Sequence, residues 1–343
     1  MPEQPRDADA AVAHLGGRTA TGLLEVTSDL AALEGGGWWA VVLPYEGAPV
    51  LARFADVREG PAPTGPWTGP DRGSWTSSAS RGGYMRAVEE VRSRIAAGDV
   101  YQANVCRVLS APLPDPSRAD VAGLAALLRE GNPAPYAGFV SLPRHGVHVA
   151  TASPELFLRR DGGVVESGPI KGTGATADDL VPKDTAENVM IVDLVRNDLG
   201  AVCETGSVTV PRLLEIEEHP GLVHLVSTVR GTLRAGTTWA QIAAAAFPPG
   251  SVTGAPKSSA LRIIAEVESA SRGPYCGAVG WIDADAGTAQ LAVAIRTFWL
   301  DGGTVRFGTG AGITWGSDAA REWDETELKA ATLLRVASGT WPG

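Results

Sequence analysis

The stretch whose reading decides the fold runs from Tyr275 to Ile313, YCGAVGWIDADAGTAQLAVAIRTFWLDGGTVRFGTGAGI. Three strand-like runs follow one another here, YCGAVGWIDAD, TAQLAVAIRTFWL and GTVRFGTGAGI, joined by Asp- and Gly-rich turns. Strands that come in runs, rather than alternating one for one with helices, predict an α+β fold with antiparallel sheets and not a doubly wound one. Upstream, PYAGFVSL, HVATAS, ELFLRR and VVESGPI continue the same theme.

Helices punctuate these runs. YMRAVEEVRSRIAAG places Tyr84, Ala87, Val88, Val91 and Ile95 on one helical face, and Gly98 suits its end. ADVAGLAALLREG predicts a second helix, and DTAENVMIVDLVRNDLG a third between Asp184 and Gly200. APKSSALRIIAEVES is a fourth, opened by Pro256, and a last helix is expected from about Asp318 to Val336. At the other end, residues 1–15 read as a tail, followed by strands in LLEVTSDLAAL and WWAVVLPYEGAPVLARF. Residues 58–83 are rich in Pro, Gly and Ser with no apolar period. They are expected to form a long surface connection, because the piece before them is too short to hold a core alone.

The net charge of -10 and pI near 5.1 leave no basic stripe for nucleic acid or an anionic membrane. Three widely spaced cysteines, Cys106, Cys203 and Cys276, build neither a disulfide framework nor a zinc site. The first residues lack a signal-peptide pattern and no run is long enough to span a bilayer, so a cytoplasmic location is expected.

Lysine usage is the strongest chemical hint. Only four lysines, Lys171, Lys183, Lys257 and Lys329, stand against 25 arginines. Lys differs from Arg in offering an amine that can lose its proton and attack. Two helices carry acids at helical spacing, Asp184 with Glu187 and Glu322 with Glu325. Each pair alone reads first as a solvated face; two such helices in one chain raise the alternative, in which one acid from each holds Mg²⁺, which favours a few carboxylates, waters and substrate oxygens. PPGSVTGAPKSSA has the wrong spacing for a phosphate loop, and GTGAGI is no dinucleotide fingerprint, although its bare backbone suits close approach of a small anion. Arg296 within AIRTF is either a solvent-facing strand arginine or a carboxylate clamp. His224 interrupts an apolar run and Glu155 opens one, where burial would raise its pKa toward general-acid duty. These readings stop at an acidic, Mg²⁺-dependent enzyme for a small anionic substrate.

Taken in order, GDVYQANV, SPELFL, PIKGT, AENVMIVDLVRNDLG, HLVSTVRG, PPGSVTGAPK, YCGAVGW, AIRTF, GTGAGI and WDETELKA resemble the chorismate-utilising enzymes over roughly residues 84 to 336. That resemblance implies one α+β unit over 1–343, two large antiparallel sheets packed together with helices outside, and a shortened N-terminal region at 1–78. It implies Mg²⁺ on Glu187 and Glu325, with Asp184 and Glu322 close behind. Arg296 and Tyr275 would hold the enolpyruvyl carboxylate, against the backbone of Gly310, Ala311 and Gly312. Glu155 would be the general acid, with His224, Gly172, Thr173, Ser251 and Lys329 lining the pocket.

Two positions discriminate within the family. Water-adding members carry a lysine where this chain has Gln102, which would instead face the substrate. Anthranilate-forming members usually read PIAGT where this chain has Lys171, as aminodeoxychorismate synthases do. The resemblance therefore implies amination of chorismate at C4, with Lys171 as transient nucleophile and a glutamine amidotransferase subunit supplying ammonia. Anthranilate synthase, 2-amino-2-deoxyisochorismate synthase and a non-catalytic chorismate-binding protein are the alternatives. Asn188 stands after Glu187 where His is common, and Gly174, Ala175 and Thr176 stand where Arg is frequent.

Overall fold

The computed structural model describes residues 10–174, 176, 182–219 and 222–339. The chain opens with β1 (Val12–Leu15), β2 (Arg18–Thr27), β3 (Trp38–Leu43) and β4 (Val50–Glu59). A short β5 (Thr76–Ser77) and helix α1 (Arg81–Ala96) lead to β6 (Gln102–Pro112), and α2 (Val121–Gly131) to β7 (Tyr136–Leu142) and β8 (Val147–Ser153). Next come β9 (Leu156–Asp161), β10 (Val164–Gly168), β11 (Ile170–Gly174), α3 (Pro182–Gly200), β12 (Thr209–His219) and β13 (Leu222–Thr232). Helix α4 (Trp239–Ala246), β14 (Gly254–Ala255) and α5 (Lys257–Val267) precede the final strands. These are β15 (Ala278–Asp283), β16 (Thr288–Val293), β17 (Thr297–Asp301) and β18 (Thr304–Ile313), closed by α6 (Ala319–Ala337).

The strand pairings are antiparallel and the α+β expectation holds. The strands join into one hydrogen-bonded network in the order β6–β18–β17–β8–β7–β1–β2–β4–β3–β15–β16–β9–β10–β13. Strands β5 and β14 attach to β6, while β11 and β12 attach to β13. The three runs of the 275–313 stretch are β15, then β16 and β17, then β18.

One expectation about the N-terminal part needs correction, and a second gains detail. Residues 12–15 are not tail but strand, because β1 pairs with both β2 and β7 and Ala13 is fully buried. Four residues are too few to display a period, so only tertiary pairing reveals them. The 58–83 segment begins as the end of β4 and then straps across the body. Trp67 Nε1 donates to the Ala337 carbonyl at 2.7 Å, and Trp75 Nε1 to Ser338 Oγ at 3.2 Å.

The helices behave as their caps dictate. Asp120 accepts from the Ala122 amide at the start of α2, and Asp318 from the Arg321 amide at the start of α6. Helix α4, which the sequence analysis leaves unassigned, is closed by a reciprocal Thr238–Gln241 capping box. On β18, Ala311 and Ile313 face a core shared with Tyr84, Val88 and Ile263. The strand period of two therefore turns Gly308, Gly310 and Gly312 to the opposite face.

A fully buried arginine ties several of these segments together. Arg272 donates from Nε and Nη2 to the Glu268 carboxylate at 2.8 and 2.6 Å, from Nη1 to the Val252 carbonyl at 2.9 Å and from Nη2 to the Asn104 carbonyl at 3.2 Å. Its guanidinium also stacks on Tyr45, 4.4 Å from the ring centre. A buried charge is tolerable only when paired and bonded in this manner. The pair fixes β6, α5 and the 250–253 turn in one register.

Candidate active site

One wall of the site is built on irregular backbone. Glu155 lies between β8 and β9, where its amide donates to Ser153 Oγ at 3.2 Å and its carbonyl accepts from the Val293 amide at 3.0 Å. The carboxyl is buried, accepting from the Ser251 hydroxyl and the Ile170 amide. Burial outweighs those bonds and the nearby Lys171 charge, and its pKa is pushed up to about 7.

Lys171 follows on β11, at a register shift against β13 between Ile170 and Thr173. Gly172, with φ +80°, supplies the left-handed residue that the irregularity needs. Lys171 Nζ donates to the Ser251 carbonyl at 3.4 Å and lies 3.9 Å from Glu187 Oε2 on α3. Helix α3 is itself fastened by buried Asn188, which donates to the Leu225 carbonyl at 3.1 Å and accepts from Ser227 Oγ at 2.6 Å. The residue that departs from the family habit thus anchors its neighbour Glu187. His224 is buried on β13, opposite Thr173 and Glu217. The side chains of Thr173 and Asp184 lie outside the described residues.

The second wall is the β6–β18 ladder. Gly310 pairs with Cys106 and Gly312 with Asn104. A methyl on Gly308 would lie 2.0 Å from the Tyr275 ring, on Gly310 2.5 Å from Cys106 Sγ, and on Gly312 2.5 Å from Gln102 Nε2. The glycines therefore make room for the chain's own side chains, while the Ala311 methyl points into the core behind. Gln102 is fully buried, and neither atom of its amide has a hydrogen-bond partner among the described residues. Asn104 Nδ2 donates to the same Ser251 carbonyl as Lys171, at 3.4 Å, and so joins the two walls. Tyr275 is buried, which holds its phenol protonated far above neutrality, and its side chain is hydrogen-bonded with Cys106.

Arg296 follows β16 with φ +52°, a conformation that a non-glycine residue seldom adopts. Its guanidinium makes no hydrogen bond or ion pair with the described residues, and burial lowers its pKa. An unshared, largely desolvated cation of this kind suits a carboxylate. On α6, Glu322 is buried while Glu325 is exposed and paired with Lys329 at 2.6 Å; Lys329 Nζ also donates to the Gly310 carbonyl at 3.2 Å. Among the described residues, no three His, Cys, Asp or Glu side chains come close enough to hold a metal by themselves.

Three features escape the sequence reading: Asn104 as the bridge, the Arg272 clamp, and the pairing of Lys257. Lys257 donates to Asp198 Oδ2 at 2.7 Å and to the Ala246 carbonyl at 3.0 Å, so it holds helices together and cradles no phosphate. Both partners sit in quoted motifs, but sequence separation hides that they meet.

Fold and site together bring a desolvated acid and an amine to one point at Ser251, joined through Asn104 to the β6–β18 ladder. The pattern of the chorismate binding enzyme family matches residues 49–335, and the chain belongs to that family. Anthranilate synthase component 1 of Streptomyces coelicolor is 42% identical over 272 residues, covering 76% of this chain and 52% of that protein. Aminodeoxychorismate synthase of Streptomyces griseus is 40% identical over 278 residues, covering 77% of this chain and 37% of that protein. The chain thus spans about half or less of the length of these curated relatives. The crystal structure of anthranilate synthase component I from Streptococcus pneumoniae matches with a TM-score of 0.76 and 25% identity, covering 98% of this chain and 93% of that one. No helix among the described residues is long and apolar enough to cross a membrane.

Proposed function

We propose that the chain aminates chorismate at C4 to give 4-amino-4-deoxychorismate, with ammonia from a glutamine amidotransferase subunit. The observation that carries this reading is the meeting of Lys171 and Glu155 at Ser251, one at its carbonyl and the other at its hydroxyl. An amine and a protonated carboxyl side by side are what a displacement of hydroxide by a nitrogen nucleophile needs. The Lys171 amine attacks C2 as the C4 hydroxyl takes the Glu155 proton and departs as water. Ammonia then attacks C4 and expels the lysine, leaving the new amine at C4. Arg296 holds the enolpyruvyl carboxylate through both steps, and the Gly310–Gly312 edge limits where the ring can lie.

The donor set suits a hard cation such as Mg²⁺, because Glu187, Glu322 and Glu325 offer only carboxylate oxygens. Two protein carboxylates suffice where substrate and water oxygens complete the shell, in keeping with the lack of a denser cluster among the described residues. Bound there, the ion would neutralise the ring carboxylate. Glu187→Gln or Glu325→Gln is expected to raise the Mg²⁺ concentration needed for half-maximal chorismate binding by about ten-fold; an unchanged metal titration removes these residues as ligands.

The 42% identity to an anthranilate synthase favours a second reading, in which the same acid and metal serve amination at C2. Product identification separates the two. Chorismate, Mg²⁺ and ammonium salt are incubated with the chain, and the products are analysed by mass spectrometry with and without aminodeoxychorismate lyase. An aminated product that the lyase converts to p-aminobenzoate supports C4 chemistry. Anthranilate or a C2 amine overturns it, and repeating the assay with a glutamine amidotransferase subunit and glutamine tests the partner.

A further inference from the structure

Glu155 faces more than the wall it shares with Lys171. A cavity large enough to admit water is lined by Glu155, Ser251, Ser167 and Asp198, with Phe157 and Leu199 among the apolar groups that complete it. Lys171, Arg296, Tyr275 and His224 are not among its lining residues, so it lies behind Glu155 and Ser251, the two groups it shares with the site assigned to substrate. Asp198 is a buried acid that the proposed reaction leaves unused. The charged group against it is Lys257, and the one against Glu155 is Lys171. The Lys257 side chain is 17% exposed and that of Asp198 10%, so this end of the cavity is in touch with solvent.

We propose that Asp198 and the water-sized cavity form a relay that returns a proton to Glu155 between turnovers. The inference rests on Glu155 as general acid. Each turnover moves one proton from Glu155 to the departing hydroxide and releases one from the ammonium formed at C4. With product still filling the Lys171 side, the acid is recharged from behind: Asp198 passes a proton through cavity water to the Glu155 carboxylate and regains one from solvent beside Lys257. No bond other than O–H is made or broken, and the count of protons closes.

Burial raises the pKa of Asp198 despite the adjoining ammonium, in the direction a carrier near neutrality needs. A pair kept only for structure would leave the rate at which Glu155 regains its proton unchanged when Asp198 is made neutral. The two roles are therefore separable.

The test follows the protonated-carboxyl infrared band of Glu155, assigned by its loss in Glu155→Gln, after a rapid pH jump across 7. Asp198→Asn is expected to slow its protonation by about ten-fold or more while leaving the midpoint near the wild-type value. The Asp198→Asn/Lys257→Met protein, which leaves no charge unpaired, covers the case where the single variant folds poorly, and it should be equally slow. An unchanged rate in either folded variant overturns the relay. This readout needs no turnover, so it stands apart from the failure of the proposed reaction, which wild-type product analysis would reveal. In an active enzyme, the first turnover from a protonated start should match wild type while the steady-state rate falls. Equal loss in both phases also overturns the relay.

Discussion

The two walls of the site are held in place by different means. The wall bearing Glu155, Lys171 and Ser251 uses a strand-to-strand corner, a register shift at Gly172 and a short turn at Gly250–Val252. The β6–β18 wall is regular ladder over ten paired residues, with glycines where neighbouring side chains need room. Irregular backbone can aim an acid and an amine at one point, which the fixed alternation of a strand cannot do. Regular ladder provides a surface that does not move when a ligand presses on it. Chemistry and binding should therefore fail separately.

Replacing Lys171 by Ala tests the first wall most severely. Amination at C4 should fall by about 10³-fold or more in kcat, with chorismate affinity largely kept. Turnover that survives intact would return Lys171 to a pocket-lining part. Glu155→Gln should cost about 10²- to 10³-fold in kcat. The wild-type rate should decline as pH rises through about 7, where the carboxyl loses its proton, and this limb should vanish from the residual rate of the variant. Because folding raises this pKa, the linked stability is full below the ordinary carboxylate range and is lost as pH climbs through about 7. Denaturation curves at several pH values can check that sign.

The second wall is broken by Arg296→Met. KM should rise by about 10- to 100-fold with kcat nearly kept, as expected for a lost charge-assisted pair. A fall in kcat alone would move Arg296 into the chemistry. Gly312→Ala is the mildest probe. Its methyl meets the end of the Gln102 side chain, which can swing aside, so KM should change only about three-fold. A large loss there would mean that Gln102 itself touches the substrate.

Much of this molecule was legible because its elements carry strong local signals. The 275–313 strands alternate with turn residues, α1, α2 and α6 have apolar faces and side-chain caps, and α5 has an apolar face after Pro256. Strand β1 was not legible, since four residues show no period and only their partners β2 and β7 define them. Site residues could be named individually from their motifs. Which of them meet could not: the bridge from Asn104 to Ser251 spans 147 positions, and the Lys257–Asp198 pair spans 59. Lys257 illustrates the limit well, for its motif gives it no partner and only the fold shows it bonded to Asp198 and the Ala246 carbonyl.

The left-handed backbone at Arg296 has a consequence for anyone seeking a sturdier version of this protein. A side chain in that conformation costs about 1 kcal/mol or more, and glycine would relieve the cost. Selection for thermal tolerance alone would therefore favour Arg296→Gly, and the hardier protein would have discarded the guanidinium proposed to hold the substrate carboxylate. At this one position, robustness and usefulness pull the sequence in opposite directions.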